Sequence, residues 1–586
     1  MYRYVMLSLL IVITGTLVVG AVGSCPICRS LPGDAGWPTV ADWDNLNHTV
    51  GGRLIATIPE ASVCHTEPYH NHNATACAAL KPLWDFPQAH FAPPAEFGSG
   101  WFQNGSCDPF TPALKLCELG NYVSYAINVT GVDDVVAGIS FSKKKNIRLV
   151  IKNTGHDVLG KSTGKGGLSL WTFNMKSTEI IPSYSSSYYK GPAIKLGAGT
   201  MAEEAYVVAD SAGYRLVGGS CPTVGISGGY SQGGGHSPLS GIYGLSADNV
   251  LEWEVVTANG DHLVATPKKN ADLYWALSGG GGGSFGVVLS MTTRLYADGE
   301  VGGAVLAFND TSVGNAAFWD AVSAFHAALP PILAGGTTIS YGMTYHSFTT
   351  YSVTAPSSSE GEVADVFSSF LADLDQRGMP YTFSTHTSPT YLTHFARDFG
   401  PLPYGTFTVS QLVTSRLIPR SVVLDPARND AVTQILRNAT ASGDNYVLCQ
   451  SLDVDNSTQA QARGVRTRPV AHNAVLPAWR DAASHCLIIA AWDWTVPRSV
   501  MAEREAVLVG KITPALEAAT PGSGTYLNEA NFAQVGWQAQ FYGANYPRLL
   551  RVKAEHDPDG VFYAATAVGS EAWVADGSGR LCRAAA

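Results

Sequence analysis

A chain of 586 residues is longer than one hydrophobic core accommodates, so two or three subdomains are expected. With 46% hydrophobic and only 14% charged residues it reads as a packed globular protein without a long disordered tail. A net charge of −10 and a pI near 5.8 offer no basic surface to phosphates, which excludes nucleic acid as an expected partner.

Residues 1–23 have the layout of a secretory leader: Arg3, an apolar stretch from Val5 to Val19, and the small-residue cleavage site Ala21-Val22-Gly23. The strongly apolar part is short for a bilayer span, so no stable membrane anchor is expected. Seven Asn-X-Ser/Thr triplets, at Asn47, Asn73, Asn104, Asn128, Asn309, Asn438 and Asn456, and ten cysteines agree with an extracellular, glycosylated, disulfide-bonded protein. Cys64 with Cys77, and Cys107 with Cys117, are near enough to bridge, although spacing leaves the connectivity open. Cys25-Pro-Ile-Cys28 imitates a redox dithiol motif, but it follows a leader rather than a strand, and ordinary disulfide partners are expected.

Residues 24–116, rich in proline, asparagine and aromatics, read as an irregular, disulfide-stapled extension. Apolar spacing predicts a helix over 132–145, with Lys143-Lys144-Lys145 as its solvated end. A strand from Ile147 to Lys152 runs straight into Asn153-Thr154-Gly155-His156, which puts the histidine on a turn at a strand end. Glycines 155, 160, 164, 166 and 167 let the backbone approach a ligand, and successive amides there suit a pyrophosphate. Cys221 lies in a second glycine-rich run, from Gly218 to Gly235. Val250 to Ala265 reads as a hairpin about Asn259-Gly260. A helix at Asp272 to Leu277 ends in Gly279 to Gly283, and a strand resumes at Phe285 to Leu289. Gly281 to Gly286 fits the letters of a dinucleotide fingerprint, but it leaves a helix and opens a strand, the reverse of the required context, so a nicotinamide site is rejected. From 301 to 530, amphipathic helices at 314–328 and 362–377 mix with strands at 338–352, 405–418 and 486–494, as in an α+β domain with an antiparallel sheet. No metal-ligand motif stands out.

These motifs resemble the berberine bridge enzyme-like group of the vanillyl-alcohol oxidase flavoproteins. The likeness runs over roughly 117–300 and returns at 525–570, where Tyr526-Leu-Asn-Glu-Ala-Asn531 precedes Phe541-Tyr-Gly-Ala-Asn-Tyr-Pro-Arg-Leu-Leu, Val552-Lys553, Asp557-Pro558 and Val561-Phe562. It implies an α+β protein with a two-subdomain PCMH-type FAD-binding domain over 117–300. A substrate domain over 301–530, an antiparallel sheet backed by helices, would roof the flavin. The segment 531–586 would return to the FAD domain.

The resemblance also assigns residues. A histidine on a glycine loop is ordinarily a satisfied polar residue and a lone cysteine is ordinarily packed or bridged. Here His156 matches the histidine bonded to the flavin 8α-methyl carbon, and Cys221 matches the cysteine bonded to flavin C6, so FAD is expected to be held bicovalently. Amides of Asn153, Thr154, Gly155 and His156, and of Gly160, Lys161 and Ser162, would hold the pyrophosphate. The loop through Thr223, Val224, Gly225, Gly228 and Gly229 would follow the flavin, with Gly233 nearby. Val224 matches a position associated with oxygen access, which favours an oxidase.

Tyr243 matches an active-site tyrosine and is the first choice for proton handling, with Tyr526 second; Tyr526 and Asn528 would face the flavin from the domain junction. Several plant members carry a tyrosine where this chain has Val158. Their base-bearing strand has only Val447 to Val454 as a counterpart, leaving Gln450 and Asp453 as weaker candidates, the latter equally a solvated turn residue. The expected reaction is hydride transfer from a saccharide or other small-molecule alcohol to flavin, with molecular oxygen reduced to peroxide. Tailoring of a secondary metabolite and a silent flavin-fold binding protein are the alternatives.

Overall fold

The computed structural model describes residues 28–456 and 467–584; the leader and Cys25 lie outside them. A four-stranded sheet has the order Leu54–Ala56, Tyr125–Asn128, Leu168–Trp171, Leu149–Lys152. The last three strands are parallel, and parallel pairing needs a crossover, here supplied by the helix Val132–Lys145. Gly138 lets that helix sit close: a β-carbon there would fall 2.5 Å from Leu170. Ile127, Leu149, Leu168 and Leu170 bury against Val135 and Ile139 of the helix.

The region expected as an appendage is part of this layer. Leu54–Ala56 pairs antiparallel with Tyr125–Asn128, and Trp43 from the helix Val40–Thr49 stacks on Tyr125 at 3.9 Å. Disulfides Cys64–Cys77 and Cys107–Cys117 staple it internally, and Cys28–Cys582 joins it to the far end of the chain. Cys28 is thus an ordinary disulfide partner, though not of Cys25.

A second, five-stranded antiparallel sheet has the order Thr178–Ser185, Lys190–Gly197, Val287–Arg294, Val250–Val256, His262–Ala265, which includes the expected hairpin. The C-terminal segment returns to these two sheets. Buried Lys553, on the helix Tyr546–His556, donates to the carbonyls of Ser284 and Phe562 and to Asp557.

The third sheet has seven antiparallel strands in the order Tyr381–Ser388, Val301–Asn309, Ser347–Pro356, Thr338–Met343, Asn445–Ser451, Ala482–Ala491, Gln411–Pro419. The run expected as one strand over 338–352 is therefore two strands of a hairpin. Helices Asn315–Leu333, Glu360–Gln376 and Pro426–Thr440 cover one face. Glu360–Gln376 starts at a capping box in which Ser359 and Glu362 satisfy each other's amides. Alternation separates the two faces: Leu412 and Ile488 join the helix-backed core, whereas Val413, Leu487 and Ile489 form a separate apolar cluster on the other side. The whole is α+β. Among the described residues no helix is long and apolar enough to cross a membrane.

Candidate functional site

That second apolar face and the glycine loops of the first two sheets enclose a cavity of about 540 Å³. The turn after Leu149–Lys152 brings Asn153, Thr154, Gly155 and His156 to its wall. Gly155 has φ +82°, and a β-carbon would meet the Glu96 carbonyl at 2.9 Å and Phe97 Cα at 3.2 Å. Gly155→Ala is therefore expected to cost about 1–3 kcal/mol and to lower cofactor content, read from the flavin-to-protein absorbance ratio and the unfolding midpoint.

His156 Nε2 lies 2.8 Å from Thr223 Oγ1 and 3.8 Å from Cys221 Sγ, and the thiol lies 3.5 Å from the same hydroxyl. Burial, reinforced by His90, pulls the imidazole down to about 3, so it is neutral at any working pH. Burial pushes the Cys221 thiol up, with Thr223 pulling partly back. Among the described cysteines Cys221 is the free one; the other eight form four disulfides, including Cys449–Cys486 across paired strands. Phe91, from the N-terminal region, covers the His156 ring at 4.6 Å.

The loop from 157 to 162 differs from expectation. Asp157 accepts from the amides of Leu159 and Ser162, so the Ser162 amide is turned inward and does not serve a phosphate. Lys161 instead offers its side chain to the cavity; burial brings the ammonium down to about 8 and Asp157 supports its charge. Gly160 does not line the cavity: its α-carbon seats against the Phe102 ring. Val224, Gly225, Gly228 and Gly229 do line it, while Thr223 stands behind and orients His156. Gly233 likewise stands behind, against the Asn528 amide. The run rejected as a nicotinamide fingerprint does sit between a helix and a strand, yet Gly282, Gly283 and Gly286 are cavity wall. Asn153 Oδ1, Ser220 Oγ and Gln232 Oε1 are buried at this wall without a hydrogen-bond partner. Gly229 and Gly283 over open space, a cationic Lys161 and unsatisfied polar atoms suit a large, polar, ring-bearing cofactor with a phosphate tail.

A polar group stands at one end. Asn528 Nδ2 donates to the Gly229 carbonyl at 2.9 Å and to Tyr526 Oη at 2.7 Å, clamping the glycine loop to the tyrosine. Glu529 opens onto the cavity; His236 Nε2 lies 3.2 Å from both its oxygens, and His485 Nδ1 lies 3.3 Å from Oε2. Burial pushes Glu529 up, but His236 and His485 outweigh it and hold the carboxyl below its ordinary value. Burial drives Tyr526 well above the usual phenol range, with the Glu529 charge adding, and pulls His485 down to about 3. The group is a neutral phenol beside an ionised carboxylate.

Two expected catalytic residues lie elsewhere. Tyr243 is stacked on Tyr296 at 3.8 Å beneath Arg215, where packing claims its ring. Asp453 pairs with Arg420 at 2.7 Å, off the cavity wall. Gln450 does reach the wall, accepting from Ser340 Oγ at 2.6 Å. Sequence reasoning missed His236, His485 and Glu529. Glu529 sits inside the Tyr526–Asn531 block and His236 follows the last glycine of its loop, but nothing in the sequence marks His485.

Residues 123–266 match the family described as FAD binding domain, and residues 525–569 that described as berberine and berberine like. The VAO-type flavoprotein oxidase VAO615 of Thermothelomyces thermophilus is 52% identical over 561 residues, 95% of this chain and 96% of that protein. The bifunctional decalin synthase calF of Penicillium decumbens is 47% identical over 575 residues, covering 97% and 98%. The crystal structure of MtVAO615 from Myceliophthora thermophila C1 superposes with a TM-score of 0.91 at 51% identity, covering 95% of this chain and all of that one.

Proposed function

The chain belongs to the berberine bridge enzyme-like family of VAO-type, FAD-linked oxidoreductases, and from that premise we propose that it is a secreted oxidase of hydroxyl-bearing small molecules with largely apolar bodies. Bound FAD supplies the two-electron acceptor for a substrate C–H and passes the electrons to oxygen, giving peroxide. His156 and Cys221 hold its ring as two tethers, and Lys161 serves the phosphates.

One observation carries the chemistry: a carboxylate kept ionised beside His236, next to a protonated phenol, on a cavity wall. Glu529 takes the proton of the substrate hydroxyl as the C–H bond is broken, and Tyr526 orients that hydroxyl by hydrogen bonding. His236 fixes the carboxylate through its Nε2–H, and neutral His485 completes its surroundings.

The substrate class follows from the opposite wall. Leu487 and Ile489 alternate along one strand and share a face, joined by Val413, Leu448, Tyr446 and Val158. An aliphatic surface of this kind suits a hydrocarbon or aromatic skeleton better than a sugar ring, and a decalin synthase among the relatives agrees with tailoring of such a skeleton. Secretion and glycosylation are supported by the leader, the four disulfides and exposed triplet asparagines at 73, 104, 309 and 438. The test is a peroxide-release screen of the flavin-loaded protein against terpenoid, polyketide and benzylic alcohols beside chito- and gluco-oligosaccharides. Turnover confined to the oligosaccharides would refute the apolar-substrate reading.

A further inference from the structure

A second cluster of ligating side chains lies outside the chemistry just described. His386 is on the edge strand Tyr381–Ser388 of the seven-stranded sheet, and the next helix, Tyr391–Phe399, presents His394 and Asp398 four residues apart on one face. His394 Nε2 stands 3.3 Å from Asp398 Oδ2, and His386 Nε2 stands 3.8 Å from Asp398 Oδ1. One ligand atom from each of the three residues falls within 4.8 Å of the others. All are deeply buried: His386 is 6% exposed, His394 not at all, and the Asp398 side chain 4%.

Two features mark this cluster, and the first is costly unless something binds here. His386 Nε2, aimed at the carboxylate, has no hydrogen-bond partner, an omission that costs about 1–3 kcal/mol in a buried site. The facing strand Val301–Asn309 carries Gly303 in register with His386, where a β-carbon would come within 2.4 Å of His386 Nε2 and 3.0 Å of the His394 ring. The glycine thus admits the His386 ring beside that of His394.

We propose that His386, His394 and Asp398 form a zinc site. Two imidazoles and a carboxylate are the borderline donor set this ion takes, whereas magnesium and calcium prefer oxygen alone. Ligand atoms at zinc distances in a tetrahedron stand ~3.3 Å apart; the three here lie within 4.8 Å of one another, with His394 Nε2 at 3.3 Å from Asp398 Oδ2. Ser352 Oγ donates to Asp398 Oδ2 at 2.7 Å and orients the carboxylate, as outer-shell partners do. Thr354 Oγ1, 2.9 Å from His394 Nε2, exchanges that contact for the fourth coordination position or yields it to water. Asp398 and Phe399 belong to the cavity wall, so the ion would fasten that wall to the edge of the sheet.

Crystals of the flavin-loaded protein soaked in ZnCl2 test this directly. An anomalous peak at the zinc edge among His386, His394 and Asp398 supports the site; no peak, or one confined to His236, His485 and Glu529, overturns it. In solution, chelator-stripped holoprotein should bind one equivalent of ZnCl2 by calorimetry at micromolar affinity or better. His394→Gln should weaken this at least tenfold and His485→Gln leave it unchanged. Equal zinc affinity in wild type and His394→Gln, or equal binding of MgCl2, would sink the assignment. Should His394→Gln not fold, His386→Gln supplies the same comparison and the anomalous map decides.

Discussion

Exchanging Glu529 for glutamine is expected to slow reduction of the flavin by substrate about 10²–10⁴-fold, the usual contribution of a positioned general base. The amide keeps the size of the carboxylate and still accepts from His236 Nε2, so flavin content and the unfolding midpoint should stay near wild type. Tyr526→Phe should cost less, because the phenol orients the hydroxyl without taking its proton. The pH dependence gives a sharper reading. Glu529 is held below the ordinary carboxylate value of about 4.3, so the base is ionised above its lowered pKa and lost only as pH falls through it. The acid limb of kcat/KM should accordingly lie below that value. In His236→Ala a proximate cause of the lowering is removed while burial remains, so the limb moves to higher pH. Stopped-flow reduction of Glu529→Gln at the wild-type rate, or a limb that His236→Ala leaves in place, would remove Glu529 from the role.

Most of the frame of this site is local in sequence, and most of its chemistry is not. A strand entering a glycine turn announces His156, and a glycine-rich run announces Cys221, because close backbone approach to a ligand demands glycine wherever the fold places it. The C-terminal block around Tyr526 was equally legible. The base was not, since His236, His485 and Glu529 come from three elements and meet only when the seven-stranded sheet closes over the loops. A strand's inward-facing histidine reads in sequence like any polar residue between apolar ones. Tyr243 shows the converse: a matched position whose ring is claimed by stacking on Tyr296, a contact set by tertiary packing. The N-terminal region was misread for a related reason. Its one short strand, Leu54–Ala56, pairs with Tyr125–Asn128 some seventy residues on, and three residues carry too little pattern to betray a partner.

Acid precipitation of the flavin-loaded protein is expected to leave essentially all flavin in the washed pellet for wild type and for His156→Ala and Cys221→Ala singly, and almost none for the double variant. The reasoning rests on placement. With Nε2 engaged by Thr223, Nδ1 is the imidazole nitrogen left for substitution, and burial keeps the ring neutral and therefore nucleophilic. Cys221 is the described cysteine without a disulfide, although spare thiols in a four-disulfide protein are otherwise a liability. Its sulfur lies 3.8 Å from His156 Nε2, and both side chains line the same cavity. If both bonds form, either alone would retain the flavin, and the pair would fix the orientation of its ring. Thr223→Val, which frees the imidazole to rotate, should raise the fraction held by cysteine alone, visible by mass spectrometry of flavin peptides. A colourless wild-type pellet would eliminate covalent attachment altogether, and loss of colour in one single variant would reduce the pair to a lone tether.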